Sequence, residues 1–150
     1  MRRALELALD QMNAGSGGPF GAVIVKDGAI IAEGWNRVTS SSDPTAHAEI
    51  VAIRNACATL GRFHLSGCAI YTSCEPCPMC LGAIYWARLD CVYYANSRIE
   101  AASIGFDDDF IYSELKLPLE QRSIPAFRLL AHEALLAFEE WEAKLNKVRY

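Results

Sequence analysis

The pattern of apolar runs along these 150 residues predicts an α/β protein, a three-layer α/β/α sandwich around a mixed, five-stranded sheet. Two apolar runs flank Asp27-Gly28, a strong signal for a tight antiparallel hairpin. Strand and helix patterns alternate after that hairpin, and crossover helices bring successive strands into one sheet. Apolar residues make up 52% of the chain and charged residues 21%, enough for one sizeable core, so residues 1–150 read as a single domain.

Taken in order, Ala4, Leu5, Ala8 and Met12 share one face of a helix over residues 1–14, which stops at Asn13-Ala14-Gly15. Ala22-Val23-Ile24-Val25 is a buried strand, and Ala29 to Trp35 is its hairpin partner. A polar loop, Arg37 to Thr45, leads to a helix over 46–60 that Gly61 closes. Cys68 to Thr72 forms a third strand. Pro76-Cys77-Pro78 opens a helix running to about Ala87, since proline suits a first turn where its missing N–H is no loss. Cys91 to Ala95 is a fourth strand. Residues 96–123 are less regular, with helical pieces around Glu100–Ile104 and Phe110–Leu115. Pro125 to Leu130 is expected as the fifth strand, and 131–147 as an amphipathic helix carrying Leu135, Phe138, Trp141 and Leu145.

The formal net charge is −4 and the basic residues are scattered, which disfavours a protein that lives by neutralising phosphates. A small, weakly charged ligand is the expected partner, not nucleic acid. No apolar stretch approaches a membrane span. Met1-Arg2-Arg3 begins like a signal peptide, but Glu6 and Asp10 break the apolar run such a peptide needs, so a cytoplasmic protein is expected. Its six cysteines are then reduced rather than paired. Cys74, Cys77 and Cys80 fall close together, which is metal spacing more than core spacing.

Two segments carry chemistry: Pro44-Thr45-Ala46-His47-Ala48-Glu49 and Cys74-Glu75-Pro76-Cys77-Pro78-Met79-Cys80. Each lies where a loop or strand end feeds a helix, the junction at which open α/β sheets build their sites. One imidazole, His47, and two thiolates, Cys77 and Cys80, suit one Zn²⁺ per chain and leave the fourth tetrahedral position for water or hydroxide. Two thiolates cancel the charge of the ion and leave its water less acidic, so a neighbouring base is needed. Glu49 is placed to be that base. Residues 47 and 49 stand about 200° apart around an α-helix, so they cooperate only if the helix end faces the metal. Thr45, after Pro44, is the expected N-cap. A closed structural zinc using Cys74 as fourth ligand is the competing account, but it strands Glu49 beside a saturated ion. An iron–sulfur cluster wants a further cysteine where the chain has Ile84. His64 and His132 are assigned no role.

His-x-Glu followed by Pro-Cys-x-x-Cys is the signature of zinc nucleobase deaminases. With Gly18-Pro19-Phe20-Gly21-Ala22-Val23-Ile24-Val25, Asp43 through Glu49, Ser73 through Arg88 and Gly105-Phe106-Asp107-Asp108, the whole chain resembles the bacterial guanine deaminases of the cytidine-deaminase-like superfamily. That resemblance implies hydrolysis of guanine to xanthine and ammonia, with Glu49 moving the protons. It also implies substrate contacts from Asn36 and Phe20, although a turn asparagine and a core phenylalanine would look the same. Asp108 is implied as a second catalytic carboxylate, with Asp107 and Asp109 as rivals one position away. Trp86 and Tyr150 are implied as aromatics closing the pocket, in a homodimer whose C-terminal segments either exchange between subunits or pack on their own. Adenosine deamination in transfer RNA, deamination of cytosine or another small aminated base, and a non-catalytic zinc-stabilised interaction domain are the alternative functions.

Overall fold

Asp27 and Gly28 both take positive φ, 50° and 79°, and turn the chain back on itself as the hairpin requires. The computed structural model describes residues 1–149, so Tyr150 lies outside the described residues. Backbone contacts divide the chain into two compact units, Met1–Ile111 and Tyr112–Tyr150. The first holds α1 (Arg2–Asn13), β1 (Gly21–Lys26), β2 (Ala29–Trp35), α2 (Val38–Ser41), α3 (Ala48–Leu60), β3 (Cys68–Cys74), α4 (Pro78–Trp86), β4 (Cys91–Asn96) and α5 (Arg98–Ser103). The single turn α2 falls inside the predicted polar loop.

The sheet runs β2-β1-β3-β4. β1 pairs antiparallel with β2 and with β3, and β3 pairs parallel with β4, which makes it mixed as expected. Register decides which residues share a face. Ala22 lies opposite Gly34 and Thr72, and Ile24 opposite Ala32 and Ile70, so these six point one way. Val23, opposite Glu33 and Tyr71, points the other way with Gly21.

Two glycines let helices lie flat on those faces. A Cβ on Gly34 would sit 2.3 Å from the Ala48 carbonyl oxygen and 2.4 Å from the Ala52 nitrogen, so α3 covers the first face. A Cβ on Gly21 would sit 2.3 Å from the Ala4 carbonyl oxygen, so α1 covers the second. Ala48, Ala52 and Ala56 give α3 the small residues such an approach needs, and all three are buried. The core on this side joins Ala22, Ile24, Ile70, Leu65, Cys68 and, from α4, Ile84. Each fully buried Ile or Leu contributes about 1.5–3 kcal/mol. On the α1 side, Arg3 donates to both Glu33 carboxylate oxygens, at 2.7 and 2.8 Å.

The second unit corrects one expectation. Following α6 (Asp109–Lys116), it holds a 3₁₀ turn (Leu119–Gln121) and α7 (Ala131–Ala143), and residues 125–130 form no strand. Phe127 and Leu129 alternate as a strand would, but the segment has no ladder partner among the described residues. Pro125 also removes one donor. Periodicity proposes a strand; only a paired edge makes one. Within this unit Glu114 accepts from the Ser123 amide and hydroxyl, at 2.7 and 2.8 Å. No helix among the described residues is long and apolar enough to cross a membrane.

Candidate active site

The His-x-Glu segment solves its geometry differently from the expectation. Thr45 does not cap α3; its amide and hydroxyl both donate to Asp43 Oδ1, at 2.8 and 2.7 Å. His47 is itself the N-cap residue, in extended conformation with φ −68° and ψ 156°. Glu49 then falls in the first helical turn. The backbone bends between the two residues, so the angular separation along a continuous helix never arises.

The cysteine segment repeats this arrangement. Cys77 is the N-cap residue of α4, with φ −64° and ψ 167°, Pro78 opens the helix, and Cys80 stands in its first turn. Two helix ends therefore present His47, Glu49, Cys77 and Cys80 to one another. The partial positive charge at helix N-termini favours anionic groups there. The His47 imidazole and the Cys77 and Cys80 thiols bring one ligand atom each within 4.8 Å of the others. Cys74 stays out of this group and turns its Sγ to the Ser97 carbonyl at 3.7 Å.

The protons of these groups are strongly interdependent. Cys77 is held down to about 4, first by the hydrogen bond from Cys80, then, against burial, by that from His47. His47 Nδ1 lies 3.6 Å from Cys77 Sγ, and this contact raises the imidazole pKa. Cys80 is pushed far up, first because its proton serves Cys77 and then by burial. One imidazole and two thiols, with their donor atoms turned to one another and Cys77 already favouring the anion, form a set that suits zinc in place of the shared protons.

Glu49 lies beside them, 6% exposed. Burial raises its carboxyl above the usual carboxylate range. Its Oε2 accepts from Cys80 at 3.4 Å and its Oε1 from Thr72 at 3.3 Å. Thr72 carries no sequence signal of this role. A threonine in a strand is ordinary, and only the β1–β3 register turns it toward α3.

A cavity of about 550 Å³ opens over these groups, and its lining includes Phe20, Asn36, His47, Glu49, Cys74, Cys77, Phe106 and Asp108. Asn36 is buried, and its Oδ1 accepts from the amides of Gly18 and Val38, both at 3.2 Å. Those two donors occupy the lone pairs of the oxygen and leave the side-chain NH₂ as the group available to a ligand. Phe20 meets Phe106 edge to face, with ring centroids 4.8 Å apart. The sequence motifs do not single out Phe106 as a site residue, although it stands two residues before Asp108.

The structure separates the three neighbouring aspartates. Asp109 pairs with Arg98 at 3.7 Å and its amide donates to Asp107. Asp107 reaches the cavity but is exposed. Asp108 is the half-buried one, its carboxyl pKa raised by burial and by the negative charge on Cys77. Trp86 is not brought to the cavity; it ends α4 and is 70% exposed.

A mixed sheet with a His/Cys/Cys cluster at two helix ends and a buried glutamate beside it defines a zinc-dependent deaminase. Residues 1–96 match the cytidine and deoxycytidylate deaminase zinc-binding region, and the chain belongs to that family. It is 59% identical to the guanine deaminase of Bacillus subtilis (strain 168) over 150 residues, all of this chain and 96% of that protein. The X-ray structure of guanine deaminase from Bacillus subtilis superposes with a TM-score of 0.97, covering 99% of this chain and 95% of the other. A structure of guanine deaminase from Nitrosomonas europaea, 37% identical, gives a TM-score of 0.68 over 71% of this chain and 62% of that one. The tRNA-specific adenosine deaminase of Haemophilus influenzae is 44% identical over 115 residues, 73% of this chain and 66% of that protein.

Proposed function

We propose that the protein hydrolyses guanine to xanthine and ammonia. The observation that carries the chemistry is the buried Glu49 carboxyl beside His47, Cys77 and Cys80 at the base of the cavity. The choice of guanine rests on similarity to the Bacillus subtilis guanine deaminase along the entire chain.

His47, Cys77 and Cys80 would hold the zinc. When bound, the ion supplies Lewis acidity that makes water nucleophilic near neutral pH. The protein's own groups do the rest. Asn36 directs its NH₂ to an acceptor on the base, and Phe20, with Phe106 edge-on behind it, offers a ring face for stacking. Glu49 takes a proton as water adds to C2 and passes it to a ring nitrogen. A second proton, from the added hydroxyl, goes with the departing amine as ammonia and leaves the C2 carbonyl of xanthine. A carboxyl lifted by burial suits this two-way traffic, since its two protonation states lie closer in energy. Asp108 faces the same space and is read as the second carboxylate, holding a ring N–H of the base.

The assembly is read as a homodimer with exchanged C-terminal segments, Trp86 and Tyr150 of each subunit closing the pocket of the other and residues 1–150 acting as one deaminase domain. Ile124, Phe127, Leu129, Leu130 and Phe138 support this, each more than 70% exposed in the chain taken alone. Sedimentation at micromolar concentration tests it, and a monomer there would refute it. For the activity, zinc-loaded protein is incubated with guanine and xanthine and ammonia are measured, with adenine, cytosine and transfer RNA as further arms. No turnover of guanine by fully loaded protein would overturn the reading.

A further inference from the structure

Glu49 must take a proton at one atom and deliver it at another, so its carboxylate needs a fixed position. Its surroundings name what could fix it. Among the described residues the carboxylate oxygens have two side-chain donors, Cys80 Sγ at 3.4 Å on Oε2 and Thr72 Oγ1 at 3.3 Å on Oε1. Cys80 is a metal ligand in the proposed deaminase, and a ligating thiolate has lost its S–H. With zinc in place, Thr72 is the remaining side-chain donor among these contacts.

Thr72 is built for the task. It is 1% exposed, and its backbone is locked in the middle of the sheet, opposite Ala22 on one side and Tyr94 on the other. A β-branched side chain in a strand has little χ1 freedom, so the hydroxyl direction follows from the sheet itself. The residue is absent from the cavity lining and sits behind Glu49, away from the base. We propose that Thr72 is a positioning residue that holds the Glu49 carboxylate for proton transfer, coupling the strand register of the central sheet to the chemistry. This inference rests on the deaminase reading for its kinetic test and on geometry alone for its structural one.

The variants are Thr72→Val, which keeps the shape and removes the donor, and Thr72→Ser, which keeps the donor. With zinc-loaded protein and guanine, Thr72→Val is expected to lose about tenfold in kcat, the low end for a hydrogen bond to a charged group. KM should not change, because Thr72 does not touch the base. Thr72→Ser should recover most of the loss. Zinc content should stay at one per chain in all three proteins, whereas a purely structural role would lower zinc content, stability and kcat together. Crystal structures of the loaded variants give the readout that needs no substrate. The Glu49 carboxylate should turn away or lose definition in Thr72→Val and keep its place in Thr72→Ser. An unmoved Glu49 in Thr72→Val, or an unchanged kcat, overturns the inference. A wild-type protein that makes no xanthine overturns the guanine reading instead, and leaves the crystallographic comparison to decide on Thr72.

Discussion

Replacing Gly34 with alanine tests whether the sheet sets the position of the metal-binding groups. The new Cβ would lie 2.3 Å from the Ala48 carbonyl oxygen, 2.4 Å from the Ala52 nitrogen and 2.9 Å from the Ala52 Cα. All three are backbone atoms of α3, so no rotamer change can relieve the clash. Carbon–oxygen contacts settle at about 3.3 Å or more, so the helix must retreat by roughly 1 Å. Overpacking of this kind costs about 1–3 kcal/mol. His47 and Glu49 flank Ala48, and a displacement near 1 Å in a catalytic group costs on the order of a hundredfold in rate. Gly21→Ala is the control. Its Cβ would strike the Ala4 carbonyl oxygen at 2.3 Å on the opposite face, where α1 bears no metal-binding residue. Urea unfolding should show both variants destabilised. Only Gly34→Ala should also lose about a hundredfold in kcat and bind zinc more weakly in competition with a chromogenic chelator. Wild-type kcat and zinc affinity in Gly34→Ala would refute the reasoning, as would equal losses in the two variants.

Glu49→Gln should keep one zinc per chain by elemental analysis and lose nearly all turnover, because an amide cannot carry the proton. Cys77→Ala should lose the metal itself, and metal analysis before any assay separates the two effects. Chelation of zinc from the wild type should lower its melting temperature reversibly, since a ligand that binds only the folded chain stabilises it by about 2.7 kcal/mol at a hundredfold excess over Kd. A melting temperature indifferent to zinc would count against the site. The Arg3–Glu33 pair predicts a small pH effect. The hydrogen bond from Arg3 lowers the Glu33 carboxyl, so the unfolded chain takes up this proton first as pH falls. The pair's contribution is present above the usual carboxylate range and is lost as pH drops through the lowered folded value. Arg3→Gln should cost under about 1 kcal/mol at neutral pH, with the difference from wild type vanishing in acid.

Most of the elements could be read from the chain because their signals are local. Asp27-Gly28 makes its own turn, Gly61 ends α3 at a φ of 62°, and Pro78 starts α4, each within a few residues of the feature it sets. The zinc-binding residues were legible for a related reason: imidazole and thiol side chains at helix starts have few other uses in that pattern. Local signals also misled. Thr45 has the composition of an N-cap, but Asp43 claims its amide and hydroxyl and leaves that position to His47. Residues 125–130 have the alternation of a strand and lack the partner.

The sequence by itself determined the chemistry available to this protein, namely which side chains can hold zinc, which carboxylate stands next to them, and where helices and the hairpin begin and end. The tertiary structure decided which of those groups face one another. It half-buried Asp108 at the cavity and left Asp107 and Asp109 exposed, occupied the Asn36 carbonyl with the amides of Gly18 and Val38, placed Phe106 against Phe20, and turned Thr72 onto Glu49. Each of those outcomes depends on strand register or on contact between segments far apart in the chain. A shift of one residue in a β-ladder moves every side chain to the opposite face while the sequence stays the same.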